Sequence, residues 1–111
     1  MDPRRAFIAW GGPERDILIL LLDDLSRDYG ADPDEDDLRL VLYRVLNENE
    51  EATGEIVGVE IVDFLTFDRW DVLPDVPQRW QVHDAEPLLL RALLQRIQVE
   101  LRERAKVAAH A

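Results

Sequence analysis

Leu38-Arg39-Leu40-Val41-Leu42-Tyr43-Arg44-Val45-Leu46, followed after a polar break by Thr53-Gly54-Glu55-Ile56-Val57-Gly58-Val59-Glu60-Ile61-Val62-Asp63-Phe64, decides the fold of this chain. The first run is apolar except for Arg39 and Arg44, which fall on opposite faces of a strand. Residues 47–54 are a polar reversal. Residues 56–67 return with Val, Ile, Phe and Thr, the types that suit a pleated surface. The pair reads as a hairpin around an acidic turn.

Upstream, Ala6-Phe7-Ile8-Ala9-Trp10 is closed by Gly11-Gly12-Pro13, which is turn punctuation and makes the run one arm of a hairpin. Asp16-Ile17-Leu18-Ile19-Leu20-Leu21-Leu22 fits two descriptions. As a helix it places Leu18, Leu21, Leu22, Leu25 and Tyr29 on one face, with Gly30 as C-cap. As a strand it is a continuous apolar run of the kind buried on both faces. Residues 26–37 hold Asp28, Asp32, Asp34, Glu35, Asp36 and Asp37 with Gly30 and Pro33, and read as a solvated connection.

Downstream, Pro74 and Pro77 block regular structure over 68–83, where Arg69-Trp70-Asp71-Val72 is echoed by Arg79-Trp80-Gln81-Val82. Two copies make no repeat architecture. This crossover is expected to set its tryptophans against the core edge. Asp84 then has the character of an N-cap, and Leu90, Leu93, Leu94, Ile97, Leu101, Ala105 and Ala108 keep helical spacing. Glu100 and Arg104 stand in the favourable i, i+4 order, and Leu88 and Val99 lie off the stripe.

Composition excludes several functions. The 111 residues suffice for one core, and 47% of them are apolar. Acidic residues outnumber basic ones 24 to 13, a net charge of −11 that repels nucleic-acid phosphates and anionic membranes. The absence of Cys excludes thiolate catalysis and thiolate metal sites, and is compatible with a cytoplasmic location. The apolar run 17–22 falls far short of the roughly 20 residues that span a bilayer, and 7–10 is too short for a signal segment.

The order of pieces resembles a widespread family of small prokaryotic domains of unknown function. The resemblance rests on Asp16 leading the Leu/Ile run and on Gly54-Glu55-Ile56-Val57-Gly58-Val59-Glu60-Ile61-Val62-Asp63-Phe64, and it covers about residues 7–67. The chain lacks that family's Tyr-Asp-Pro lead-in and adds the tryptophan loop and the last helix. The resemblance implies a strand over 17–22 and no activity, and fold analogy carries no function by itself.

Candidate chemistry is sparse. Asp32, Asp34 and Asp36 match the first ligands of a calcium loop, but Asp37 stands where Gly is needed and Tyr43 where Glu is needed. His83 with Asp84 and Glu86 beside Trp80 could form a small polar site; the competing description is an N-cap with an ordinary loop histidine. His110 is near the chain end. Asp63, by alternation on the face of Val57, Val59 and Ile61, is expected half-buried, held by a loop amide or Arg69. Trp10, Trp70 and Trp80 could cage a ligand or simply anchor packing. No catalytic, cofactor or metal constellation assembles. Asp63, Trp70, Trp80 and His83 are therefore kept only as ligand or interaction candidates.

The strands are apolar on both alternating sets, unlike an antiparallel sheet with one wet face. One helix covers one face. The expectation is an α+β domain: an antiparallel meander of about four strands (residues 6–67), a crossover (68–83) and a C-terminal helix (84–107). A second copy, in a homodimer, is expected on the other face, with Leu88 and Val99 joining it. The functional expectation is a dimeric protein-interaction or assembly module. A small-molecule domain, conceivably an enzyme, with its pocket near Asp63 between the Trp70–Trp80 loop and the sheet is the alternative.

Overall fold

The hairpin forms as its pattern requires, and a larger sheet grows from it. The computed structural model describes residues 2–110, with side chains described for 2–107. The strands are β1 (Arg4–Trp10), β2 (Ile17–Leu22), β3 (Tyr29–Pro33), β4 (Leu40–Leu46), β5 (Ala52–Val62) and β6 (Trp80–Val82). A single sheet of these six, among the described residues, has the order β3-β4-β5-β2-β1-β6. All neighbours are antiparallel except β1 and β6. The expected meander of about four strands is thus a six-stranded mixed sheet. Helix α1 (Leu90–His110) packs on one face of it.

Ile17–Leu22 is a strand, hydrogen-bonded to a partner on each side. Its flanks decide this: Gly11-Gly12-Pro13 closes a hairpin with β1, and Gly12 takes the turn's left-handed φ of 87°. The polar reversal between β4 and β5 is tied by Asn47, whose Oδ1 accepts from the backbone N–H groups of Asn49 (2.9 Å) and Glu51 (3.0 Å). Within β5, a Cβ on Gly58 would come within 2.6 Å of Leu21 Cδ1 and 2.8 Å of the Leu20 carbonyl oxygen, so this position requires glycine.

Several boundaries differ from expectation, among them β6 inside the crossover expected to be irregular. Residues 26–37 contain β3, because the open edge of β4 offers backbone partners that Tyr29–Pro33 take in register despite their polar side chains. Pro33 ends this edge strand, where a missing N–H costs nothing. The last sheet-paired strand of the hairpin stops at Val62 rather than Phe67. Asp63 adopts φ 56°, and a 3-10 turn over Phe64–Thr66 swings Phe64 and Phe67 into the core. The helix starts at Leu90, not at Asp84, since Pro87 disfavours the α conformation in Glu86 before it. Residues 83–89 instead fold back, and the Trp80 and Leu88 backbones exchange hydrogen bonds of 2.8 and 3.1 Å.

The core lies between α1 and the inward sets of the strands. Leu90, Leu93, Leu94, Ile97 and Leu101 are all buried, as the spacing predicts, against Leu18, Leu20, Leu22, Val59 and Ile61. Gln98 is buried among them, its Nε2 donating to the carbonyls of Phe64 (2.7 Å) and Phe67 (2.8 Å). Glu100 lies 3.9 Å from Arg96 instead of pairing with Arg104. The Ala108 and His110 side chains lie outside the described residues. Among the described residues, no helix is long and apolar enough to cross a membrane.

Candidate functional site

Residues directly opposite in an antiparallel pair point to the same side of the sheet, so the register lays out the face that α1 leaves open. One row runs Phe7, Leu21, Gly58, Tyr43, Ala31; the next runs Ala9, Ile19, Glu60, Val41, Pro33. Ile17 and Val62 begin a third. The face therefore crosses five strands, β1 to β3 in the sheet order; its two full rows are apolar except for Glu60, while Arg39, opposite Val62 and held by Asp37, borders them at one end and Arg5 and Asp23 at the other. Phe7, Tyr29 and Val62 are 45%, 40% and 36% exposed, large values for such side chains.

Two features give this face its character. Tyr29 packs edge-on against Tyr43, with ring centroids 5.9 Å apart. Burial, then the neighbouring Glu60 and Tyr29, raises the Tyr43 phenol above its ordinary value, so it stays a neutral donor. Glu60 stands between Ile19 and Val41 and has no ion pair among the described residues. The chemistry available here is recognition by apolar contact around a single charge.

The residues singled out from the sequence are not gathered together. Asp63 is exposed at the strand exit with no capping bond from its side chain, not half-buried on the inner face, because its left-handed backbone turns it out of the alternation. Trp70 is half-buried, edge-on to Phe67 at 5.1 Å between centroids. Trp80 is fully inside the core instead of at its edge. His83 is exposed at a turn with φ 55°, and Asp84 caps no helix. A cleft of about 460 Å³ lies beside Arg4, Arg27, Gly54, Val76 and Trp80, but Asp63, Trp70 and His83 do not line it. The pocket expected near Asp63 is displaced to the other end of β5.

The acidic connection is occupied internally. Asp32 pairs with Arg44 at 2.8 Å, and Asp34 Oδ2 accepts from the N–H groups of Asp36 and Asp37. Among the described residues no group of three or more His, Cys, Asp or Glu side chains is placed to hold a metal ion.

In comparisons with known proteins, no family model, no curated protein and no solved structure matches the chain. What the molecule can do therefore rests on its own geometry.

Two carboxylates were missed. Asp16 joins distant segments: Oδ1 accepts from Trp10 Nε1 at 2.8 Å, and Oδ2 accepts from the Leu65 N–H at 2.7 Å. Its position just before a strand and six residues after a tryptophan is the only signal, and it does not name Leu65. Asp37 is clamped by Arg39 through two side-chain bonds of 3.0 and 2.8 Å, and that guanidinium lies 5.4 Å from the Phe67 ring centroid. The Arg39 hydrogen bonds hold the Asp37 carboxyl well below the usual range, at about 2.

Proposed function

We propose that the chain is a cytoplasmic protein-interaction module that works as a twofold dimer through the uncovered sheet face. The single observation that carries this reading is the five-strand apolar face opposite α1. With strands about 4.8 Å apart and same-side residues about 6.8 Å apart, its planar footprint is on the order of 400 Å². Patches of that size on monomers are commonly functional. Two such faces in contact bury roughly 1,000 Å² once side-chain relief is counted, the lower end of specific interfaces. A second copy presents the same preformed face at no cost in induced order, and an isologous contact closes at two subunits.

Val99 is exposed on the solvent side of α1, across the sheet from this face, and Leu88 is packed against the core. Neither belongs to the proposed interface. The resemblance to small prokaryotic domains, carried by Asp16 and the 54–64 run, adds no activity to this reading.

Light scattering at micromolar concentration tests it: a mass twice that of the chain is expected, and a stable monomer would sink the idea. Leu21→Arg, at the centre of the face, is expected to give a folded monomer. The second reading is a small-molecule site in the cleft lined by Arg4, Arg27, Ile56, Val76 and Trp80. Its volume is within the range of ligand sites, but Arg4 and Arg27 are already paired with Asp24 and Glu55.

A further inference from the structure

Within the two full rows of the proposed dimer face, one charge is unpaired. Glu60 sits amid Ile19, Val41 and Gly58 with no ion pair among the described residues, the nearby Arg39 being held by Asp37, and covering it with apolar surface alone would strand a buried, unpaired carboxylate. Two chains of net charge −11 also repel one another. A twofold contact through this face needs a cation supplied by the face itself.

Arg5 is placed to supply it. It alternates with the buried Ala6 and so shares the outer side of β1 with Phe7 and Ala9. Among the described residues its guanidinium makes one bond, of 3.3 Å, to the His83 carbonyl. Asp23 lies opposite it across β1–β2, where the Asp23 N–H donates to the Arg5 carbonyl, yet their side chains form no ion pair among the described residues. Arg5 is free to turn toward an incoming surface.

For a reciprocal contact between Arg5 and Glu60, the register sets where a symmetry axis would pass. Glu60 is in line with Ile19 and Ala9, two strands from β1, while Arg5 is four residues along β1 from Ala9. At about 4.8 Å per strand and 3.4 Å per residue, the two are separated by roughly 16 Å on the face. The midpoint of that line falls on β2 at Leu21. A twofold axis lying in the plane of contact, over Leu21 and perpendicular to the line, brings each residue over the other's counterpart.

We infer that the dimer is closed by two reciprocal Arg5–Glu60 ion pairs flanking a central contact between the two Leu21 side chains. This rests on the dimer reading above and adds its register and its partner choice. Each pair neutralises Glu60, the carboxylate set among the apolar rows, so the surface selects a second copy of itself over a generic apolar partner.

Charge reversal tests the pairing. Dimer dissociation constants are measured by sedimentation equilibrium for the wild type, Arg5→Glu, Glu60→Arg, the double variant and Leu21→Arg, with circular dichroism to verify folding. Each single reversal is expected to weaken the dimer about tenfold or more, and the double reversal to recover to within about threefold of wild type. Glu60→Arg is the sharper of the two singles, because it moves the net charge of −11 toward neutrality and would strengthen a dimer governed by overall repulsion. A wild-type dimer that Leu21→Arg abolishes, but whose charge-reversal effects merely add in the double variant, refutes the pairing and leaves the dimer reading standing. A wild type that stays monomeric at all concentrations refutes both.

Discussion

Asp16 illustrates how one side chain can connect three segments that are distant in the fold's construction. Its carboxylate takes donors from Trp10 and from the exit of β5, and its backbone carbonyl accepts from the Asp63 N–H at 2.8 Å. Removing it leaves a half-buried indole N–H and a backbone N–H without their acceptor. Asp16→Ala is expected to lower stability by about 2 kcal/mol in urea titration. Asp16→Asn is expected to lose less, since its single amide oxygen can serve one donor but not both. Tryptophan emission, to which Trp10 contributes beside Trp70 and Trp80, should shift in both variants.

Asp37 yields a prediction in pH. Its folded-state carboxyl titrates at about 2, below its ordinary value of 3.8, chiefly through the Arg39 side-chain hydrogen bonds. A depressed carboxylate stabilises the fold above the unfolded value and loses that contribution as pH falls. The window is therefore about pH 4 down to about pH 2. Thermal midpoints of the wild type should fall through this window more steeply than those of Asp37→Asn, which lacks the titrating group. Equal slopes would show that the clamp with Arg39 is not sensed by the fold.

Among the elements, α1 depends on more than its apolar stripe. Gln98 satisfies two carbonyls of the Phe64–Phe67 turn, where no strand partner reaches them. Gln98→Leu keeps the volume and raises the apolarity of the stripe, yet takes its donor from the Phe67 carbonyl and leaves the Phe64 carbonyl with only the Phe67 N–H at 3.1 Å. A loss of about 1–3 kcal/mol is expected by chemical denaturation, whereas a gain would mean that water enters the site. The helix itself was legible from the spacing of Leu90 to Leu101, but its start was not. Asp84 has the chemistry of an N-cap, and only the backbone restriction imposed by Pro87 and the pairing of Trp80 with Leu88 move the first turn to Leu90. Strand β3 was hidden for a different reason. Its residues carry no alternation, and it exists because β4 has an open edge to fill.

At the scale of the whole molecule, the sheet is lopsided: one face is sealed by α1 and the other crosses five strands uncovered. The dimer is the proposed remedy, and Leu21→Arg is the variant expected to separate association from folding. It places a charge on the open face without disturbing Leu20 and Leu22, which face the core. Monomeric mass with unchanged circular dichroism is the expected result. A folded dimer in this variant would move the interface elsewhere.

Local pattern alone determined that a strand within 38–46 pairs with one within 56–67, that the helix packs through Leu90, Leu93, Leu94, Ile97 and Leu101, and that the sheet has two apolar sides; the pairing itself runs over 40–46 and 52–62. These follow from periodicities of two and 3.6 residues, which any reader of the chain can count. Tertiary structure decided the rest: the recruitment of β3 and β6 to opposite edges, the burial of Trp80, the exposure of Asp63, and the grip of Asp16 on Trp10 and Leu65. Each depends on which backbone edge or polar group is left unsatisfied once the core has closed, and that is a property of the assembled sheet rather than of any window of residues.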